Sequence, residues 1–459
     1  MVAADGAAGS GEVEERSRPG CDRRPRSVRG DLVRVALPKA AAGALLVGVN
    51  VAVARVLGPA SYGTFALALT CVLLVDAIAG PSLDLLALRG ATPDAMPAVL
   101  PIERMLLRLK LIVASVGVAA AIVLGTQIGP WLGVASGDGR LLLLATACSG
   151  AALLLLRSAQ VRLQLDHRLA RYGVSELLYA GGRAMLIAIA LAAGLHAPVW
   201  LVATGALSAA LAATIAWPAV WRTAAARTPL DPAVLKTASL TALTCGVGTI
   251  AARVDPFVLG AVASAEDVGL YSAALIAATI VELAGAYAAP ALAPRLMPLW
   301  HRRALAPFLV RVQTMAALAA IAMLAAAWAI LPAAVGFVLP AAYAGSGHLA
   351  LVLLPAGLAG LVIFPAALNV ILMRAPHLFL WIDGVSLAVL IPVWAWAARE
   401  HGALGVAWVT STWRVAKAVI VSVAAMRLAR LSPAPVLSSA FTGAPLAASV
   451  TAPSVTVPR

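Results

Sequence analysis

The sequence predicts an all-α integral membrane protein of about twelve transmembrane helices, taking about 20 apolar residues per crossing. Three observations lead there. The chain is 62% hydrophobic and only 12% charged, with mean hydropathy +0.95. Its apolar runs are separated by short polar connectors, and its basic residues gather in alternate connectors. No soluble domain of 459 residues packs so apolar a chain around one core. The formal charge of +14 raises nucleic acid as a partner. The arginines are scattered between apolar runs, with no basic, aromatic-rich patch, so that class is set aside. Of the cysteines, Cys71, Cys148 and Cys245 fall in apolar runs and Cys21 in the polar N-terminus, a spacing that suits neither a metal site nor a disulfide framework.

The expected spans of the first half are Leu32–Leu57, Ser61–Leu83, Leu109–Leu132, Leu141–Val161, Glu176–Leu195 and Pro198–Val220. Those of the second half are Ala238–Val262, Gly269–Leu292, Phe308–Leu331, Leu349–Met373, Leu378–Ala398 and Ala403–Met426. Residues 1–30 and 431–459 read as disordered cytoplasmic tails, polar and Arg-dotted in the first case and Ala/Ser/Pro/Thr-rich in the second. Between them lie two lobes of six spans, 31–228 and 229–430. The first apolar run is too long for a signal-peptide core and is expected to remain as an anchor.

One set of connectors holds Arg104, Arg108, Lys110, Arg157, Arg162, Arg168, Arg222, Lys236, Arg295, Arg302, Arg374 and Arg427 among others; the alternate set holds little beyond Arg55, Arg140 and Arg399. The excess of basic residues on the cytoplasmic side places both termini there. The outer loops are all short, Gly58–Ala60, Gly133–Gly139, His196–Ala197, Ser264–Val268, Pro332–Gly347 and Arg399–Gly402, which leaves no external soluble domain. The basic inner loops set topology and can meet anionic lipid headgroups.

The two halves repeat. Arg55-Val-Leu-Gly-Pro-Ala-Ser-Tyr-Gly-Thr-Phe-Ala66 stands between the first and second spans. A segment from Asp255 through Leu259-Gly260 to Tyr271-Ser-Ala-Ala274 stands between the seventh and eighth. Both run from helix through Leu-Gly and a short outer loop to a Tyr followed by small residues. Six spans per half give both halves one orientation, so the lobes are related by a parallel pseudo-twofold axis along the membrane normal, with a cavity between them.

These residues carry a family resemblance. Leu57-Gly-Pro-Ala-Ser-Tyr-Gly-Thr-Phe-Ala-Leu67 resembles the segment after the first span of polysaccharide-export flippases of the multidrug/oligosaccharidyl-lipid/polysaccharide (MOP) exporter superfamily. Val254-Asp255 with Leu259-Gly260, then Val268-Gly-Leu-Tyr-Ser-Ala-Ala274, is similar to that family's seventh-to-eighth-span segment. His401-Gly-Ala-Leu-Gly-Val-Ala-Trp408 resembles its turn into the last span. The resemblance implies two six-helix lobes, alternating access and a lipid-linked oligosaccharide, typically undecaprenyl-diphosphate-linked, moved between leaflets for surface polysaccharide assembly. A polysaccharide polymerase and glycosyltransferases are partners by resemblance only. The second span departs from the pattern with Asp76 and Asp84.

Charged groups inside apolar runs are the candidate site residues, because such groups are expensive in hydrocarbon. Arg414 and Lys417, one helical turn apart in the last run, have no acidic neighbour in their own helix. They can hold a diphosphate; Asp383 is their candidate counter-ion. Arg183 can grip phosphate with its planar fork or pair structurally with Glu176, which shares its face. Lys39, on one face with Gly43 and Asn50, is a cavity cation or a topology charge. In the seventh run Thr237, Thr241, Thr244, Gly248, Ala251 and Asp255 form one small, polar stripe that lines a cavity or packs tightly. Arg253 falls on nearly the opposite face. Glu282 is a deep carboxylate, either a protonation site or one half of a fixed ion pair. Asp76, Asp255 and Glu282 are the groups available to couple transport to a proton or sodium gradient; no other cofactor, and no metal site, is implied. Pro355 and Pro365 in the tenth span, Pro392 in the eleventh and Pro290 and Pro294 late in the eighth mark bends.

The same fold also accommodates a lipid II flippase or a multidrug exporter. A drug exporter for cations wants acidic and aromatic cavity walls, whereas these deep groups lean cationic. A membrane glycosyltransferase or polymerase needs external catalytic side chains, and the outer loops offer only the acidic pair Glu266 and Asp267. The expectation is therefore a non-enzymatic flippase.

Overall fold

Residues 28–79, 96–128, 136–166, 168–214, 232–301, 303–363 and 376–430 are described by the computed structural model. Their elements are helices: α1 (Val28–Ala79), α2 (Met96–Ile128), α3 (Ser136–Leu165), α4 (Leu169–Ala192), α5 (Pro198–Ala213), α6 (Pro232–Arg253), α7 (Asp255–Val262), α8 (Ala265–His301), α9 (Leu305–Val338), α10 (Ala344–Ile363, preceded by a 3₁₀ turn at Ala341–Tyr343) and α11 (Pro376–Arg430). Residues 1–27 and 431–459 of the tails, the Asp84 end of the second span, Pro365 and the expected lobe boundary at 228/229 lie outside the described residues, while Val28–Gly30, expected in the N-terminal tail, already belong to α1.

At 52 residues, α1 is far longer than the roughly 20 residues a bilayer needs. It is two helices meeting at Gly58, whose φ of +72° no residue with a side chain adopts readily. Pro59 follows, bars Gly58 from the helical region and opens the second helix, so Leu57-Gly-Pro is a designed break. Similarly, α11 breaks at Gly402 (φ 57°) within its 55 residues. Splitting these two and joining the bent pair α6–α7 gives about twelve spans in the expected order.

Boundaries differ from expectation in several places, among them the loops expected at Gly133–Gly139 and Ser264–Val268, which α3 and α8 enter at Ser136 and Ala265. Pro332 lies inside α9, which runs on to Val338, so the loop expected at Pro332–Gly347 shortens to Leu339 and Pro340 before the 3₁₀ turn. The apolar stretch after Pro332 continues the helix across a kink, which neighbouring helices make tolerable. The seventh span is not continuous either: α6 and α7 meet at Val254 with a 49° bend, immediately before Pro256.

Helices α1–α5 pack on one another, as do α6–α11, and the main contacts between the groups run from α1 to α8 and α6. The closest approach is at the Gly58 end. A Cβ on Gly269 would collide with the Pro59 carbonyl, and one on Gly63 would collide with the Ala265 carbonyl. Tyr343 donates to the Ala54 carbonyl at 2.9 Å across the same junction, and its ring meets Tyr62 edge-on at 6.3 Å. Ser264 shapes the loop here: its hydroxyl accepts the Asp267 amide at 3.1 Å while Asp267 accepts the Ser264 amide at 3.3 Å, a reciprocal cap on α8. Large apolar side chains stand exposed all round, Trp328, Ile330 and Phe337 on α9 among them. Such a surface belongs in hydrocarbon.

The junction yields a prediction. Overpacking costs about 1–3 kcal/mol, and about 1.4 kcal/mol is tenfold in population. Gly269→Val is therefore expected to raise, by about tenfold, the reactivity of a cysteine placed at buried Tyr62 toward a membrane-impermeant thiol reagent. Unchanged reactivity would mean that the two groups do not separate at this end.

Candidate functional site

A cavity of about 380 Å³ opens among α6, α8, α10 and both arms of α11. From α6 it takes Thr244, Gly248, Ala251 and Arg253; from α8, Glu282; from α10, Ala356 and Gly360. The first arm of α11 gives Phe379 and Asp383, and the second gives Trp413, Arg414 and Lys417. Small residues on α6 and α10 leave the space, and long charged side chains reach into it. Arg414 stands twelve residues past Gly402, about 18 Å along the axis at 1.5 Å per residue.

The charges are arranged in pairs. Arg414 Nη1 lies 3.5 Å from Glu282 Oε2, and its Nη2 donates to the Ala252 carbonyl at 2.6 Å. Lys417 Nζ donates to Asp383 Oδ1 and sits 5.8 Å from the Phe379 ring centroid. Asp383, the candidate counter-ion of both cations, thus pairs with Lys417, and Glu282 pairs with Arg414. Three cations face two carboxylates in this cavity. Arg253, expected on the far face from the Thr244 stripe, lines the same cavity. The chain breaks one residue after it, and its side chain is long enough to turn inward. Thr244 lines the cavity while its hydroxyl returns to the Leu240 carbonyl at 2.8 Å. The Thr241 side chain lies outside those described.

Asp255 is not in the cavity wall. Its carboxylate is 1% exposed, and its Oδ2 accepts the hydroxyls of Tyr271 and Thr410, the latter at 3.3 Å. Trp394 Nε1 in turn donates to Thr410 at 3.0 Å. The cluster ties α7 to α8 and to both arms of α11, and Asp255 Oδ1 has no hydrogen-bond partner.

A second polar cluster lies among α1, α3 and α4. Arg157 Nη1 bonds Glu176 Oε1 at 2.8 Å and Gln160 Oε1 at 2.7 Å, and its Nε is 3.8 Å from Asp76 Oδ2. Tyr172 donates to Glu176 at 3.2 Å, and Lys39 Nζ sits 5.2 Å from the Tyr172 ring centroid. Of the two readings of Arg183, the structural pair with Glu176 is not the one seen: Glu176 is held by Arg157, and Arg183 is buried with its Nε unpartnered. Two turns of helix separate Glu176 from Arg183, whereas Arg157 arrives from a neighbouring helix at bonding distance. Arg157 was counted among the topology cations. Its signal was Gln160 three residues on, a second polar group on the same face of a run that is apolar through Leu156. The Asn50 amide donates to the Leu46 carbonyl of its own helix at 2.9 Å.

These helices and this cavity define a polytopic helical membrane fold with polar groups inside. No family model and no curated protein matches the chain. Solved structures do. An inward-facing multidrug resistance MATE family transporter of the MOP superfamily matches with TM-score 0.65 at 13% identity, over 87% of this chain and 98% of that one. An outward-facing MATE structure gives 0.55 at 14% identity, over 87% and 95%. A MOP superfamily transporter from Pyrococcus furiosus gives 0.56 at 14%, over 87% and 95%. The fold is therefore the MATE-like fold of MOP transporters, and these neighbours are transporters, not enzymes.

Removing Lys417 strands a carboxylate that is 2% exposed. Breaking one side of a buried pair costs about 3–5 kcal/mol, so Lys417→Ala is expected to lower the unfolding temperature in detergent markedly. Lys417→Met with Asp383→Asn is expected to recover most of the loss. A double variant no more stable than the single one would show that the pair is not the source.

Proposed function

We propose that the protein is a flippase that moves an anionic lipid-linked saccharide, of the undecaprenyl-diphosphate type, across the cytoplasmic membrane for surface polysaccharide assembly. The observation that carries this reading is the cationic surplus of the cavity, Arg253, Arg414 and Lys417 against Glu282 and Asp383. A diphosphate entering a space of low dielectric is stabilised by such a surplus, while a cationic drug is repelled. For the Pyrococcus furiosus transporter, a reversed polarity of the binding pocket has been taken to suggest a different function. The cavity charge here supports a parallel departure.

The cycle is alternating access. The basic connectors favour a Gly58 end outside and both termini in the cytoplasm, and with that orientation the contact between the halves at Gly63 and Gly269 supports an inward-facing state. The higher TM-score with an inward-facing relative, 0.65 against 0.55 for an outward-facing one, supports the same state. Arg414 and Lys417 hold the diphosphate, and the prenyl chain stays in the bilayer. Arg183 and Lys39, in the first half, add positive charge on the way through. Asp76, Asp255 and Glu282 are the carboxylates through which a proton or sodium gradient couples. Polysaccharide polymerase and glycosyltransferases act beside it.

A second reading, multidrug export, draws on Glu282 and Asp383, two carboxylates already in the cavity. Sealed vesicles separate the two. The purified protein is reconstituted with a fluorescent undecaprenyl-diphosphate oligosaccharide under an imposed ion gradient, and leaflet accessibility is followed. The parent is expected to move the lipid, and the Arg414→Ala, Lys417→Ala double variant to lose about tenfold or more of the rate, since one charge-assisted bond contributes about 1.5–3 kcal/mol. Movement of a cationic dye, but not of the saccharide lipid, would favour the exporter.

A further inference from the structure

The break in the seventh span leaves the Ala252 carbonyl without its usual partner. In a regular helix the Ala252 carbonyl accepts the amide of residue 256. That residue is Pro256, which has no amide hydrogen. The next amide does not help. Phe257 donates to Val254 at 3.0 Å, and Val258 donates to the same carbonyl at 3.0 Å. At this depth the Ala252 carbonyl needs a donor from another helix, and Arg414 supplies it: Nη2 lies 2.6 Å away, while the same guanidinium is only 3.5 Å from Glu282. Arg414 is thus bonded more closely to the bent backbone than to its own counter-ion, and it lines the cavity as well.

We propose that Arg414 is a positioning residue that locks the bend between α6 and α7, and that an anionic diphosphate in the cavity releases the lock by drawing the guanidinium off the Ala252 carbonyl. The second half rests on the anionic substrate proposed above. A phosphate outcompetes a neutral carbonyl for the planar fork because both partners carry charge and two parallel bonds form. The vacated carbonyl no longer ties α6 to α11, and the bend at Val254 is free to change. The bend follows cavity occupancy. It also reaches the junction of the two halves, since α7 is fastened through Asp255 to Tyr271 and Thr410 and leads within a few residues to the Ser264 cap.

The test measures the bend directly. In the full-length chain with its natural cysteines replaced, spin labels go on the exposed residues Leu243 and Ala261, on either side of the break. The distance between them is read in nanodiscs with and without farnesyl diphosphate. The probe is expected to shift the distance in the parent. Arg414→Ala is expected to show a shifted distance without the probe and no further response. Pro256→Ala keeps every cavity charge and restores the missing amide. It is expected to lengthen the distance, to bind the probe severalfold more tightly, and to lower both KM and kcat of transport.

Parent-like distances in both Arg414→Ala and Pro256→Ala overturn the lock, whatever the substrate. If Arg414→Ala does not fold, Pro256→Ala alone decides it. Probe binding without a shift in the parent overturns the release and leaves the anionic-substrate reading standing. A shift with no movement of saccharide lipid in vesicles keeps the lock and sinks that reading. No binding of the probe overturns both.

Discussion

Arg414 satisfies the Ala252 carbonyl and faces the Glu282 carboxylate, so α6, α8 and α11 meet at one guanidinium. In hydrocarbon neither group has water to fall back on. The bend at Val254, the width of the cavity and the position of Glu282 follow from that shared donor. Lys417 repeats the arrangement one turn away with Asp383, so both cations of the last span are braced from other parts of the chain. A cavity built this way holds positive charge in place without collapsing around it.

The first half uses its charges differently. Arg157 is bonded to Glu176 and Gln160, with Asp76 at 3.8 Å, and Tyr172 adds a hydroxyl to the same carboxylate. Such a network gives Arg157 little freedom to trade partners and reads as a fastening between α1, α3 and α4. The halves that share a Leu-Gly turn and a following Tyr have therefore diverged in what their buried polar groups do.

Spans and the first break are legible because they follow from local chemistry, apolar run length and Leu57-Gly-Pro, whereas the bend before Pro256 falls inside a run expected to be continuous. The pairing of Lys417 with Asp383 was legible because an apolar helix with a deep cation needs a deep acid elsewhere, and few were available. The place of Arg253 and the partner of Glu176 are not legible, for one reason. Helical phase tells which face a Cα occupies, but a long side chain near a break, or a partner arriving from another helix, is a tertiary matter that spacing does not encode. The capping of Ala252 by Arg414 was hidden for the same reason, although Pro256 announced that some donor was needed.

The order of the charges along the chain bears on how the protein is made. A cation at the centre of a span opposes membrane insertion by about 3 kcal/mol, and the last arm of α11 carries two. Glu282 on α8 and Asp383 on the first arm of α11 both precede them in the sequence. The acids that brace the final span are therefore made before it, and losing either one leaves a cation of that span to enter the membrane without its partner.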